Sequence, residues 1–296
     1  MPTAKTIPIY GVDFSSAPCR RKPIAVAVGG FSLEVSGRAV VQIDRLEWLE
    51  SLDAFSEFLE RSGPWLAGFD LPFGQPRDLL RHYGWPEQWG DFVDFFCQTP
   101  RPMLRECFRQ WCNARPAGQK FAWRRADKPA GSSPAMRWTN PPVAWMMQAG
   151  IGRMKSTGLV FPAHRHPEEA FTRDGQINAS QTTARVALEA YPGFTARQIT
   201  RSSYKSDNPA QQTTERAEAR RLIVQALLSG RAGLSVVCRV SNALRDCMES
   251  EARGDALDAV ICALQAAQAA TQPRFGLPED LDPLEGWIAT VPTRPA

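Results

Sequence analysis

The sequence predicts an α/β protein: a five-stranded mixed sheet, an antiparallel meander plus parallel strands, flanked by helices and interrupted by a large, mostly helical insertion. Three observations predict it. Three apolar runs joined by tight, Gly-containing connections lie within the first 43 residues, as in a meander of hairpins. A helical pattern and a fourth apolar run follow, the order that returns a strand parallel to the first by a crossover. A helix-forming stretch with no charge between Asp258 and Arg274 lies near the C-terminus. The core is expected over residues 1–74 and 184–273, the insertion over 75–183, and a Pro-rich wrap over 274–296.

Residues 7–14 read as a strand with Asp13 at or near its C-terminal end, followed by the turn Ser15-Ser16-Ala17-Pro18. Residues 23–28 make a second strand closed by Gly29-Gly30, and residues 34–43 a third, with Gly37-Arg38 as its turn or a bulge. Trp48, Leu49, Leu52, Phe55, Phe58 and Leu59 recur at helical spacing, and Gly63-Pro64 ends that helix. Residues 65–70 are a buried strand that stops at Asp70. If this strand lies parallel to the first, Asp13 and Asp70 emerge at one edge of one sheet, the edge where α/β folds place their chemistry. Residues 185–193 read as a fifth strand carrying Glu189, with Pro and Gly punctuation. A polar loop holding Tyr204-Lys205 leads to helices over 214–228 and 242–250.

Gly254-Asp255-Ala256-Leu257-Asp258 opens the tail helix. Leu257, Val260, Ile261 and Leu264 form its apolar stripe. Asp255 and Asp258, three apart, share one face of the first turn, close to the positive end of the helix. That face continues in Ala259, Cys262 and Ala266, and a helix without a charged side is buried on most sides. Taken alone, the two acids also read as a cap and a dipole partner, worth about 1 kcal/mol or less each.

At 296 residues the chain has ample length for a large core. Its first residues contain no apolar signal region and no run suits a membrane span, so neither secretion nor a membrane partner is expected. Seven cysteines without a C-x-x-C pair read as reduced thiols in a cytoplasmic protein. The net charge of +4 is uneven: residues 101–155 carry eleven Lys/Arg against two acids, a local +9 that leaves −5 for the rest. Arg101, Arg105 and Arg109 would stack on one helical face, with Arg124 and Arg125 further along the same basic segment. Trp111, Trp123, Trp138 and Trp145 are interleaved with these cations. Such a pattern suits stacking and phosphate contact with a nucleic acid, and equally the core of a small subdomain whose arginines are solvated. His164-Arg165-His166 reads as a surface loop rather than a metal site.

Asp13, Asp70, Glu189 and the pair Asp255/Asp258 thus stand at the ends of four apolar elements. Asp favours turns, which explains any one of them. Gathered together, carboxylates repel and raise one another's pKa unless cations neutralise them, and Mg²⁺ or Mn²⁺ suits carboxylate oxygen and water. The motifs Gly11-Val12-Asp13, Gly68-Phe69-Asp70-Leu71-Pro72, Glu189-Ala190-Tyr191-Pro192, Tyr204-Lys205 and Asp255-Ala256-Leu257-Asp258-Ala259 resemble the predicted RNase H-like nuclease family, domain-of-unknown-function family 429. The resemblance spans residues 7 to about 270 and is weakest over 75–183. It implies an RNase H-like core in which Asp13, Asp70, Asp255 and Asp258 hold Mg²⁺ or Mn²⁺, as two ions, with Asp13 bridging. Glu189, on the fifth strand, departs from that ligand pattern as a further ligand or an orienting group. The implied activity is metal-dependent phosphodiester hydrolysis of nucleic acid, DNA or RNA. Lys205 would approach the scissile phosphate or neutralise an acid, and the basic insertion, with Arg101, Arg105, Arg109, Arg124 and Arg125, would hold the strand.

Two other classes compete. An actin-like ATP-dependent phosphotransferase also carries a strand-end Asp, but needs Gly-rich phosphate loops that Ser15-Ser16-Ala17 does not resemble. A non-catalytic module binding nucleic acid or a protein partner would keep the same scaffold without turnover.

Overall fold

The strand ends named above are brought together by a six-stranded sheet in the order β5-β4-β1-β2-β3-β6. The computed structural model describes residues 6–34, 37–165 and 184–293. β1 (Ile7–Asp13), β2 (Ile24–Leu33) and β3 (Ala39–Leu49) form the antiparallel meander. α1 (Leu52–Leu59) then crosses over to β4 (Trp65–Asp70), which pairs parallel with β1 and sets Asp13 beside Asp70 in the register. β5 (Arg185–Glu189) adds parallel to β4. The sixth strand, β6 (Val236–Arg239), pairs parallel with β3 and corrects the expectation of five strands. Four residues on a sheet edge leave almost no alternation for a sequence pattern to show.

Other differences have local causes. β2 does not stop at Gly29-Gly30 but runs through them with a register shift after Val28. A Cβ on Gly29 would lie 2.0 Å from the Gln42 carbonyl oxygen, so glycine permits the bulge. Trp48 and Leu49, read as helical, belong to the end of β3, and α1 starts three residues later behind the Ser51 cap. The fifth strand ends at Glu189, and residues after it start a helix that the sequence reading did not contain.

The insertion supplies α2 (Arg77–Tyr83), α3 (Trp89–Gln98), α4 (Arg101–Asn113), the single turn α5 (Asp127–Ala130) and α6 (Val143–Ser156). α2, α3, α4 and α6 pack onto one face of the sheet, where Phe92, Phe96, Phe108, Trp145 and Ile151 share a core with Tyr10, Val12, Phe55 and Phe69, whereas α5 packs with the C-terminal segment around Trp287 and Ile288. Trp111 and Trp145 are buried and Trp138 packs against that core, so the subdomain-core reading holds for three of the four tryptophans; Trp123 is 38% exposed. The opposite face is covered by α7 (Pro192–Ile199), α8 (Thr214–Leu228), α9 (Asn242–Ser250) and α10 (Asp255–Ala270).

α10 decides where the chemistry sits. Every residue from Asp255 to Ala269 is buried, as its uncharged faces required. It lies across β1, β4 and β2. Two glycines let it lie there. A Cβ on Gly11 would stand 1.9 Å from the Ala259 carbonyl oxygen, and one on Gly68 would stand 2.3 Å from that of Cys262. The helix backbone therefore rests directly on the two strands that end in Asp13 and Asp70. No described helix is long and apolar enough to cross a membrane, and all seven cysteines are unpaired.

Candidate functional site

Alternation along the strands sets which acids meet. On β1 and β4, Ile9 and Leu66 face the α10 side, while Val12 and Phe69 face the insertion. Asp13 and Asp70 share the parity of Ile9 and Leu66, so both carboxylates stand on the α10 side at the carboxyl edge. The first turn of α10 delivers Asp255 and Asp258 to the same place. The helix is capped by Gly254 at φ 79°, a left-handed conformation suited to glycine, so Asp255 is already inside the helix and is not its cap. Glu251 reaches forward, and its Oε2 accepts from the Ala256 amide at 3.4 Å.

The four aspartates have unlike surroundings. Asp258 is fully buried; its Oδ1 accepts from the Tyr204 hydroxyl at 2.6 Å and its Oδ2 is ion-paired with the Lys205 ammonium. Asp255 Oδ2 lies 3.4 Å from Arg253 Nε but has no hydrogen-bond partner. Asp13 and Asp70 are partly exposed at the floor of a cleft of about 640 Å³. Burial, with Asp258, Asp70 and Asp255 adding to it and Lys205 opposing, pushes the Asp13 carboxyl well above the usual range. Burial pushes Asp70 up to about 7, with Asp258 and Glu189 reinforcing it against Lys205. Asp255 is pushed up to about 6 by burial and Glu251. Burial alone would lower the Lys205 ammonium, yet Asp258, Tyr204, Asp13 and Asp70 together hold it well above the ordinary lysine value. Carboxylates held in such numbers around one ammonium leave the cluster short of positive charge.

Glu189 stands apart. It shares the parity of Ala187, which packs in the insertion-side core, and it accepts from both terminal nitrogens of Arg124 and from the Phe73 amide at 2.9 Å. Arg124 is itself buried, bonded also to Asp127 and to the Glu285 carbonyl. Glu189 and Arg124 thus line the cleft wall as a closed ion pair. Arg125 is tied to Asp280 and, through its amide, to Glu285. Arg101, Arg105 and Arg109 do share the exposed face of α4, but none lines the cleft; Arg101 bonds Gln148 at 2.9 Å and Arg109 pairs with Glu106. Cations that do line it were not singled out in the sequence: Lys22, Arg197, Arg201 and Arg253, with Tyr204 beneath. Only Tyr204-Lys205, as a motif, signalled that loop. His164 is buried, not at the surface: it stacks on Trp89 at 4.5 Å between ring centroids, and its Nδ1 lies 2.8 Å from the Pro283 carbonyl oxygen. His166 lies outside the described residues.

Among the described residues, no group of three or more His, Cys, Asp or Glu side chains is placed to hold a metal ion as the side chains stand. The donors nonetheless suit a hard divalent cation in kind. Asp13 and Asp70 are adjacent carboxylates, and the buried Oδ2 of Asp255, paired with Arg253 but without a hydrogen bond, belongs to a residue lining the same cleft. Mg²⁺ needs only one or two protein carboxylates, with water and phosphate oxygens completing its shell.

Fold and site together define an α/β protein with an aspartate cluster at the carboxyl edge of a mixed sheet, beneath the N-terminus of a buried helix. A family model described as "Protein of unknown function (DUF429)" matches residues 11–281, and the chain belongs to that family. No curated protein and no solved structure matches it.

Proposed function

We propose that this protein is a divalent-metal-dependent phosphodiesterase acting on nucleic acid, with an RNase H-like core. The observation that carries the reading is the pairing of Asp13 with Asp70 at neighbouring parallel strand ends, under the helix turn that bears Asp255 and Asp258. An acid on the first strand, one on the fourth and two on the closing helix is the distribution expected of such a nuclease.

Asp13 and Asp70 would hold Mg²⁺ or Mn²⁺, with Asp255 available beside them. When bound, the cation supplies Lewis-acid polarisation of a phosphoryl oxygen and a water of lowered pKa. The rest falls to the chain. Asp70, pushed up to about 7, would have to release its proton to hold such a cation at neutral pH. Arg201 on the cleft wall would attract a phosphate backbone over the acidic floor, with Lys22 and Arg253 of the same wall paired to Asp207 and to Glu251 and Asp255. Lys205 is ion-paired with Asp258 and ties the first turn of α10 to the loop.

The deciding experiment is a cleavage screen with Mn²⁺ over single-stranded, duplex and branched DNA and RNA, comparing the wild type with Asp13→Asn. Cleavage by the wild type that is lost in a folded Asp13→Asn protein supports the reading. Equal cleavage by both refutes it. Mn²⁺ binding without cleavage of any substrate would instead favour a binding module on the same scaffold.

A further inference from the structure

Lys205 is unusually well built into its place. Tyr204 and Lys205 approach the start of α10 from a loop with no regular structure, but the loop is anchored on both sides. The Tyr204 carbonyl accepts from the buried Arg220 at 2.8 Å, and the Ser206 amide donates to Ala252 at 3.2 Å. The Lys205 stem lies against Gly254, where a Cβ would come within 2.9 Å of the lysine Cβ. Gly254 therefore serves two ends: it caps the helix with a positive φ and leaves room for the lysine stem. The ammonium that results is paired with Asp258 Oδ2, while Tyr204 takes Asp258 Oδ1. Both oxygens of the deepest aspartate are thus engaged by one dipeptide, Tyr204 buried and the Lys205 side chain 42% exposed. Asp255 Oδ2, three residues earlier on the same turn, has no hydrogen-bond partner but pairs with Arg253 Nε at 3.4 Å.

With both helix aspartates paired to basic side chains, we infer that the Lys205 ammonium holds the cation position at Asp258, so that the site takes one divalent ion, at Asp13 and Asp70, rather than two. The inference rests on the metal-dependent reading above and narrows it. A tethered ammonium brings one charge without the geometric demands of a divalent ion. It also cannot leave with product. Asp258 becomes a positioning residue for Lys205, and the cation count of the site is written into the chain rather than set by metal concentration.

The test is calorimetric titration of the full chain with MnCl₂ at pH 8, for the wild type, Lys205→Arg and Lys205→Met. Methionine keeps an unbranched stem against Gly254 but removes the charge. The expected result is one Mn²⁺ per chain for the wild type and for Lys205→Arg, and two for Lys205→Met. Two ions bound by the wild type would overturn the inference while leaving the metal-dependent reading standing, and this arm decides the matter even if Lys205→Met fails to fold. A folded Lys205→Met protein that still binds a single ion would overturn it as well. A wild type that binds no Mn²⁺ at millimolar concentration would sink the parent reading too, so the two failures are distinguishable.

Discussion

Glu189 and Arg124 meet through two contacts, Nη2 to Oε1 at 2.6 Å and Nη1 to Oε2 at 2.8 Å, on the face of the sheet opposite the one that carries Asp70. Both side chains are buried, and Asp127 completes the group. The pair joins β5 to the insertion, and the C-terminal segment closes over it through the Ala289 amide, which donates to the Glu189 carbonyl at 2.8 Å.

Breaking this pair is expected to act on stability. Glu189→Gln removes one of two charges that face a buried guanidinium, and with Asp127 still paired to it the change costs about 1–3 kcal/mol. Urea unfolding of wild type and variant measures it. A Glu189→Gln protein as stable as the wild type but unable to cleave would move Glu189 into the chemistry.

The helix–sheet contact makes a sharper forecast. Gly11→Ala and Gly68→Ala each drive a methyl group into an α10 carbonyl oxygen, and neither neighbour is a flexible side-chain end. Each is expected to lose about 3 kcal/mol or more, at or beyond the upper end of usual overpacking costs. Mn²⁺ affinity should fall with it, because α10 carries Asp255 and Asp258 away from the strand ends. Wild-type melting temperatures in either variant would contradict the close packing described.

Asp70 sets a pH dependence. Its folded pKa of about 7 lies above the ordinary 3.8, so between those values the folded state holds a proton that the unfolded state has lost. Without metal, this group's contribution to stability therefore declines as pH rises from about 4 to 7, by up to about 1.4 kcal/mol per pH unit. Asp70→Asn should flatten that slope, as read by urea unfolding in chelator at pH 5, 6, 7 and 8. Mn²⁺ affinity of the wild type should rise over the same range, because the ion competes with the proton. An unchanged slope in the variant would assign the dependence elsewhere.

His164 acts in the opposite sense. Burial lowers its pKa to about 3 from the usual 6.5, against the pull of the Pro283 carbonyl. Below 6.5 the unfolded chain takes up a proton that the folded chain refuses. The His164 contribution is thus complete above about pH 6.5 and is lost as pH falls toward 3, by up to about 1.4 kcal/mol per unit. Acid unfolding of His164→Asn should lack this component, and an acid midpoint sloping as in the wild type would refute it.

Much of this arrangement was legible in particular residues. The runs before Asp13 and Asp70 marked two strand ends, and the order of elements predicted the parallel β1–β4 pairing that the register shows. The uncharged faces of residues 259–273 announced a buried helix. The arginines of α4 show the limit: Arg101, Arg105 and Arg109 share a face as their spacing required, but spacing says nothing about which way that face turns. Arg124 looked like its basic neighbours and is instead enclosed by two acids and a carbonyl.

What the sequence determined by itself is local: where strands stop, which helix lacks a polar side, and which acids stand at the ends of apolar elements, all written in side-chain period and turn chemistry. Only the tertiary structure decided which of those acids meet. A strand-end carboxylate goes to one face or the other by a single residue of register, which separates Glu189 from Asp70. The seating of α10 on Gly11 and Gly68, across some 250 and 190 residues of chain, is a contact between backbones that no pattern in either segment encodes alone.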